Sequence, residues 1–247
     1  MKLQDSIKQT ILSIPFAKDI HFHLSGRKIV WKYLGGNGIE VGALTKPFLV
    51  PNGIHVKYVD RMTVSDLREQ YPELARLELI EPDILDDGET LASIQDSSQD
   101  FVIACHMIEH CQNPIGTIQN FLRVVRKGGT VFMAVPDKRY TFDVNRPLTL
   151  LNHLLDDYQQ GPELSKHSHF KEWVDLVIDN KEKVENSDQM VKQLMDIDYS
   201  IHYHVWNPTT FKEMLTHLNT QLSFPFNIEL FAENNSKGEF LVVLKKC

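Results

Sequence analysis

Apolar and polar positions alternate along this chain with periods that change several times, and each change predicts an element. Residues 2–14 place Leu3, Ile7, Ile11 and Ile14 at helical spacing among Gln, Lys and Asp. This predicts an amphipathic helix, either packed on a sheet edge or lying as a flap over a ligand. The cluster Gly35-Gly36-Asn37-Gly38 marks a turn, and Ile39–Val41 behind it reads as a short strand buried on both faces. Pro47 to Gly53 interrupts the helix expected next. Val56–Val59 predicts a second strand ending at Asp60, and Thr63–Tyr71 a helix with capping residues at its start. Leu77–Ile80 predicts a third strand, followed by Asp83. Phe101–Cys105 predicts a fourth, introduced by Asp100. A helix then opens at Pro114, with Ile115, Ile118, Phe121, Leu122 and Val125 on one face. Lys127-Gly128-Gly129 reads as its basic last turn and glycine cap. Thr130–Val135 is the fifth strand, ended by Pro136.

Strands and helices in alternation predict an α/β fold: a Rossmann-like, doubly wound, mostly parallel sheet. Its right-handed crossovers put a ligand crevice at the C-terminal ends of the strands. Past Pro136 the pattern gives helices around 147–158, 168–181 and 188–196 and no clear strand, a helical insertion covering that crevice. Asn207-Pro208 caps a helix carrying Phe211, Leu215 and Leu218. Residues 226–233 and 239–245 close the chain as a hairpin. The expected organisation is a single domain over 1–247. It comprises a helical lead (1–35), a cofactor-binding core (36–136), the insertion (137–207), and a closing helix and hairpin (208–247).

Composition narrows the function classes. The chain has 247 residues, a net charge of −7, 42% hydrophobic and 24% charged residues, ordinary for a soluble globular protein. The acidic balance argues against a nucleic-acid partner. Three cysteines without CxxC spacing give no disulfide or structural zinc framework, which fits a reducing cytoplasm. No apolar run approaches the length of a membrane span.

Glu40, Asp60 and Asp83 stand at the expected ends of three successive strands. That set suits an adenosyl ligand. Asp60 would accept both ribose hydroxyls. Gly42 would let the backbone approach the ligand, and Glu40 would act near its amino-acid end. Asp83 with Ile84 would face the adenine. A dinucleotide would need a glycine-rich turn into a helix N-terminus, and this turn has one glycine and then Pro47.

These segments resemble class I S-adenosylmethionine-dependent methyltransferases, in particular the methyltransferase type 11 group. Glu40-Val41-Gly42-Ala43 is similar to the first motif of that family. Asp60 matches its ribose-binding acid, and Asp83-Ile84 its adenine-side acid. Ser98–His110 resembles its fourth-strand motif, and Leu122–Gly129 its helix-to-fifth-strand motif. The resemblance implies a seven-stranded sheet and S-adenosylmethionine as cofactor. It implies a cofactor site of Glu40, Gly42, Ala43, Asp60, Arg61, Asp83, Ile84, Cys105 and His106. Leu44 and Lys46 stand where the family has glycines. Glu40–Pro47, Tyr58–Arg61 and Pro136–Asp143 resemble a bacterial subgroup often found beside glycosyltransferases, which hints at a sugar or glycan acceptor.

Methyl transfer to a hydroxyl needs a base, and histidine titrates in the right range. His106, His202 and His204 are the catalytic candidates. His110 reads as structural. His202-Tyr203-His204 alternates with period two, so both histidines can face one side. Tyr140, His167 and His169 join them as candidate acceptor-binding residues. A His-x-His pair with an Asp can bind a metal, but no further ligand has persuasive spacing, and no metal is expected. The reading is O- or N-methyl transfer to a small molecule or glycan precursor. Two others stay open: a non-catalytic adenosyl-binding or regulatory protein, and a dinucleotide-dependent nucleotide-sugar enzyme.

Overall fold

A computed structural model describes residues 26–178 and 186–247. The amphipathic helix expected over 2–14 lies outside them, as does the end of the one expected over 168–181. Seven strands form one sheet: β1 (Asn37–Val41), β2 (His55–Asp60), β3 (Ile84–Leu85), β4 (Gln99–Cys105), β5 (Val125–Pro136), β6 (Phe226–Asn234) and β7 (Glu239–Lys246). Their order is β3-β2-β1-β4-β5-β7-β6. β1 runs parallel to β2 and β4, and β7 runs antiparallel between β5 and β6. Val41 lies level with Val59 on one side and Ala104 on the other. The central strands therefore stop together, and the residues just past their ends gather at one edge of the sheet.

The helices start where side chains can hold the first turn. Thr63 accepts from Asp66 N–H ahead of α1 (Val64–Gln70), and Asn113 from Gly116 N–H ahead of α2 (Pro114–Val124). α3 (Leu151–Gln160), α4 (Glu163–Trp173) and α5 (Ser187–Asp196) make up the insertion, and α4 runs on as a π-helical turn, Val174–Ile178. Asn207 and Thr210 form a reciprocal capping box at the start of α6 (Pro208–Thr220).

Two elements differ from the sequence pattern. Leu77–Ile80 is not a strand. Leu77 N–H bonds Leu74 O, and Ile80 N–H bonds Leu44 O in the loop after β1. Leu77 and Leu79 pack with the insertion instead of the sheet. The third strand is Ile84–Leu85, so Asp83 precedes a strand instead of ending one. The Gly128-Gly129 pair does not cap α2. The helix ends at Val124, and β5 begins at once, with Val125 opposite Gln99 and Thr130 opposite Phe101. The residues between bulge out, with Gly128 at φ +72. Arg126 pairs with Asp100 across the bulge.

The core has three parts. One lies under α2 and α6 and includes Ile39, Val102, Phe121, Val131 and Phe211. The opposite face of the sheet buries Phe48, Phe101, Ile103 and Phe132. A third cluster joins Leu67, Tyr71 and Leu74, at the α1 end, to Phe170, Trp173 and Leu194 of the insertion. The insertion is thus packed on the sheet's flank through its own apolar core.

Candidate active site

A cavity opens at the level end of β1, β2 and β4. About 850 Å³ of space lies within its bounds, open mouth included. Val41, Gly42, Asp60, Arg61, Gly88, His106, Met107 and His110 form the sheet side of its wall. Leu44, Leu67, Tyr71, Glu73, Leu74, Tyr199 and Ser200 form the other. Gly42 has φ +69, a conformation that disfavours any side chain. A Cβ at Gly88 would lie 2.6 Å from Val41 Cγ1, so that turn is also closed to larger residues.

Asp60 ends β2 on this wall. Its Oδ1 accepts Met62 N–H at 3.2 Å, and burial raises its carboxyl above the usual range. Arg61 ties the wall to the insertion: it donates to Tyr71 Oη at 2.5 Å and to Asp198 Oδ2 at 2.7 Å.

His106 follows β4 with φ +51, an uncommon backbone state for a side-chain-bearing residue. Its Nε2 lies 2.8 Å from Glu239 Oε2. Glu239 is buried at the start of β7 and also accepts from Arg27 Nη2 at 2.7 Å and Asn234 Nδ2 at 2.9 Å. Burial pushes the Glu239 carboxyl up, but His106 and Arg27 outweigh it and hold the group at about 2. His106 Nδ1 stands 3.7 Å from Glu109 Oε1. Glu109 is fully buried, and among the described residues neither of its oxygens has a hydrogen-bond partner; burial raises its pKa. His110 Nδ1 faces Ile201 O at 2.9 Å, and burial pushes it well below the usual imidazole value.

Of the residues expected to hold a cofactor, Gly42, Asp60, Arg61 and His106 share the cavity wall. Glu40, Ala43, Asp83, Ile84 and Cys105 stand off it. Glu40 is turned into the fold, where both carboxylate oxygens accept Phe48 N–H, at 3.0 and 2.9 Å. Burial pushes it up to about 7. Asp83 accepts Tyr58 N–H at 2.8 Å from partway along β2. Ile84 packs on the core beneath α2, Cys105 packs on the opposite face, and Ala43 O accepts Lys46 N–H within the turn.

Of the residues expected at the acceptor, none but His106 touches the cavity. Tyr140 is 53% exposed beside the β6–β7 turn, and His167 is exposed on α4. His202 and His204 are both buried, in two different clusters. His202 Nδ1 lies 2.6 Å from Asp143 Oδ2, and Asp143 is held by Arg146 at 2.8 Å. His204 meets His153, Asp157 and His169. For His153 and Asp157 the signal is their spacing of four within the helix expected over 147–158. The wall residues Leu67, Tyr71 and Leu74 do carry a signal, the helical spacing of the segment 63–74.

Residues 39–133 match the family model of the methyltransferase domain. This segment is a class I S-adenosylmethionine-dependent methyltransferase domain. Its cofactor is S-adenosylmethionine. No curated protein matches the chain. Among solved structures, a Rhodobacter sphaeroides chain named for Zn-dependent alcohol dehydrogenases is 18% identical, with 98% of each chain covered and a TM-score of 0.55. A SAM-dependent methyltransferase from Aquifex aeolicus is 11% identical, with 98% of each covered and a TM-score of 0.48. The CurJ carbon methyltransferase is 14% identical over 87% of this chain, TM-score 0.45, and this chain spans 49% of its length. At such identities the first likeness speaks to the doubly wound fold alone, which methyltransferases and dehydrogenases share.

Two features of the cavity would suit S-adenosylmethionine. Asp60 sets a carboxylate at the end of the second strand, where ribose hydroxyls would need an acceptor. The cavity's first turn, at Gly42, presents backbone without a Cβ. Among the described residues no helix is long and apolar enough to cross a membrane.

Proposed function

We propose that the chain moves a methyl group from S-adenosylmethionine to an oxygen or nitrogen of a small molecule or glycan precursor. The observation that carries this reading is His106 on the cavity wall, with Nε2 tied to an ionised, buried Glu239. The bound cofactor supplies a methyl on a positively charged sulfur with a neutral leaving group. The protein's share of the work is alignment and removal of a proton. Asp60 would hold the ribose hydroxyls, and the Gly42 turn the tail beyond them. Glu239, accepting from Nε2–H, selects the tautomer in which Nδ1 of His106 is the basic nitrogen. As the acceptor oxygen or nitrogen bonds to carbon, its proton passes to that nitrogen. Glu239, 2.8 Å from Nε2, steadies the imidazolium so formed. Arg61, Glu73, Tyr199 and Ser200 give the wall the donors and acceptors that a polyol needs.

Labelled S-adenosylmethionine offered with a panel of hydroxy and amino compounds and nucleotide sugars tests this reading. The expected result is label in an acceptor. His106→Gln should lower turnover by about 10²- to 10⁴-fold with S-adenosylhomocysteine binding retained. Binding of the adenosyl ligand with no acceptor labelled would favour a non-catalytic role. Binding of NAD in its place would favour a dinucleotide enzyme.

A further inference from the structure

We propose that His153, Asp157, His169 and His204 form a structural zinc site that fastens the insertion beside the cavity. The four come from three places: His153 and Asp157 one turn apart on α3, His169 on α4, and His204 on the extended segment before α6. Residues four apart on a helix share a face, which brings the first two to one point. The four ligand atoms all lie within 4.8 Å of one another. His153 Nε2 is 2.9 Å from His169 Nε2 and 3.2 Å from Asp157 Oδ2. Asp157 Oδ2 is 3.9 Å from His169 Nε2 and 4.0 Å from His204 Nε2. Zinc bonds of about 2.0–2.1 Å in a tetrahedron set ligand atoms roughly 3.3 Å apart, inside this span.

Hydrogen bonding alone accounts poorly for the cluster. Among the described residues, Asp157 Oδ2 is buried among three imidazoles with His153 Nε2 alone within 3.2 Å, and His204, whose Nε2 lies 3.3 Å from Gln112 O, has no partner at its buried Nδ1. A cation would compensate the carboxylate and draw in the imidazole nitrogens that converge on it. The surroundings support a ligand set of this kind. The other oxygen of Asp157, Oδ1, accepts Ser165 Oγ–H at 2.7 Å, the usual outer bond of a metal carboxylate. Three imidazoles and one carboxylate suit zinc. Magnesium and calcium would take oxygen ligands. Four protein ligands, three of them buried, close the coordination shell, so the role is structural. Its mechanical consequence is local. Tyr203 N–H and His204 N–H both bond Glu109 O, at 2.8 and 3.3 Å, and Ser200 on the same segment lines the cavity.

Metal analysis of the full-length, tag-free protein tests the site. Purified after growth with zinc, it should carry about one zinc per chain through gel filtration. Chelator-stripped protein should take up one equivalent of cobalt and show the intense visible absorption of four-coordinate Co²⁺. His153→Ala and Asp157→Asn should reduce metal content to near zero. His167→Ala, an exposed histidine on the same helix as His169, should leave it unchanged. Wild-type protein that takes up neither zinc nor cobalt would overturn the proposal, and that result does not depend on whether a variant folds. Full metal retention in His153→Ala would overturn it as well.

Discussion

The sheet end and the helical insertion place buried charge by different means. At the sheet end the backbone does most of the placing, with the buried Arg27–Glu239 pair behind His106 as the side-chain exception. Asp60 and His106 stand where β2 and β4 stop, and Glu40 is held by the main-chain N–H of Phe48. Among the described residues the insertion has no strand to set positions, so side chains hold one another. Fully buried Arg146 donates to Asp143, Glu172 and the carbonyls of His202 and Tyr203. A group placed by backbone tolerates the loss of one partner. A group placed by side chains depends on each of them, because removal leaves a charge buried and uncompensated.

The largest effect should therefore fall on the insertion. Arg146→Ala should destabilise the protein by about 3–5 kcal/mol in urea unfolding, since it leaves buried Asp143 to His202, without the guanidinium, and takes the donor from the buried carbonyls of His202 and Tyr203. A loss below about 1 kcal/mol would erase the contrast between the two regions. Glu40 comes next. Burial lifts its carboxyl from 4.5 to about 7, so the native state keeps a proton that the unfolded chain gives up. That stability is full below the unfolded value and is lost as pH rises through 7. The loss should be about 3 kcal/mol, seen as a falling urea midpoint between mildly acidic and mildly alkaline pH. Glu40→Gln should flatten the same window. Asp60→Ala should weaken S-adenosylhomocysteine binding by roughly 1.5–3 kcal/mol in calorimetry with little change in thermal midpoint, because the role proposed for Asp60 is to hold the ribose. Unchanged affinity would remove it from the ribose site. The smallest effect should come where the two regions join: Asn207→Ala breaks the capping box of α6 and should cost about 1 kcal/mol in unfolding free energy.

Legibility in the sequence follows the same divide. β1, β2, β4 and the start of α2 are visible because glycine clusters, β-branched runs and capping residues are local signals. So are Gly42, Asp60 and His106, each at a strand end. The third strand escapes the pattern because it is only Ile84–Leu85, while the more apolar Leu77–Ile80 spends its side chains on the insertion. Glu40 and Asp83 read as ligand acids, since a sequence does not reveal which backbone N–H a carboxylate will find. The meeting of His153, Asp157, His169 and His204 depends on how α3 and α4 pack against residues 201–206. No local period encodes that meeting. Tyr199 and Ser200 reach the cavity by the same long-range packing.

The central claim is that the level end of β1, β2 and β4 holds the adenosyl cofactor and turns its methyl toward His106. A crystal structure of the complex with S-adenosylhomocysteine tests it most directly. The account predicts the ligand in the cavity at Gly42 and Gly88, its ribose on the carboxylate of Asp60 and its sulfur end toward His106. A ligand seated away from Asp60, or with its sulfur remote from His106, would contradict it.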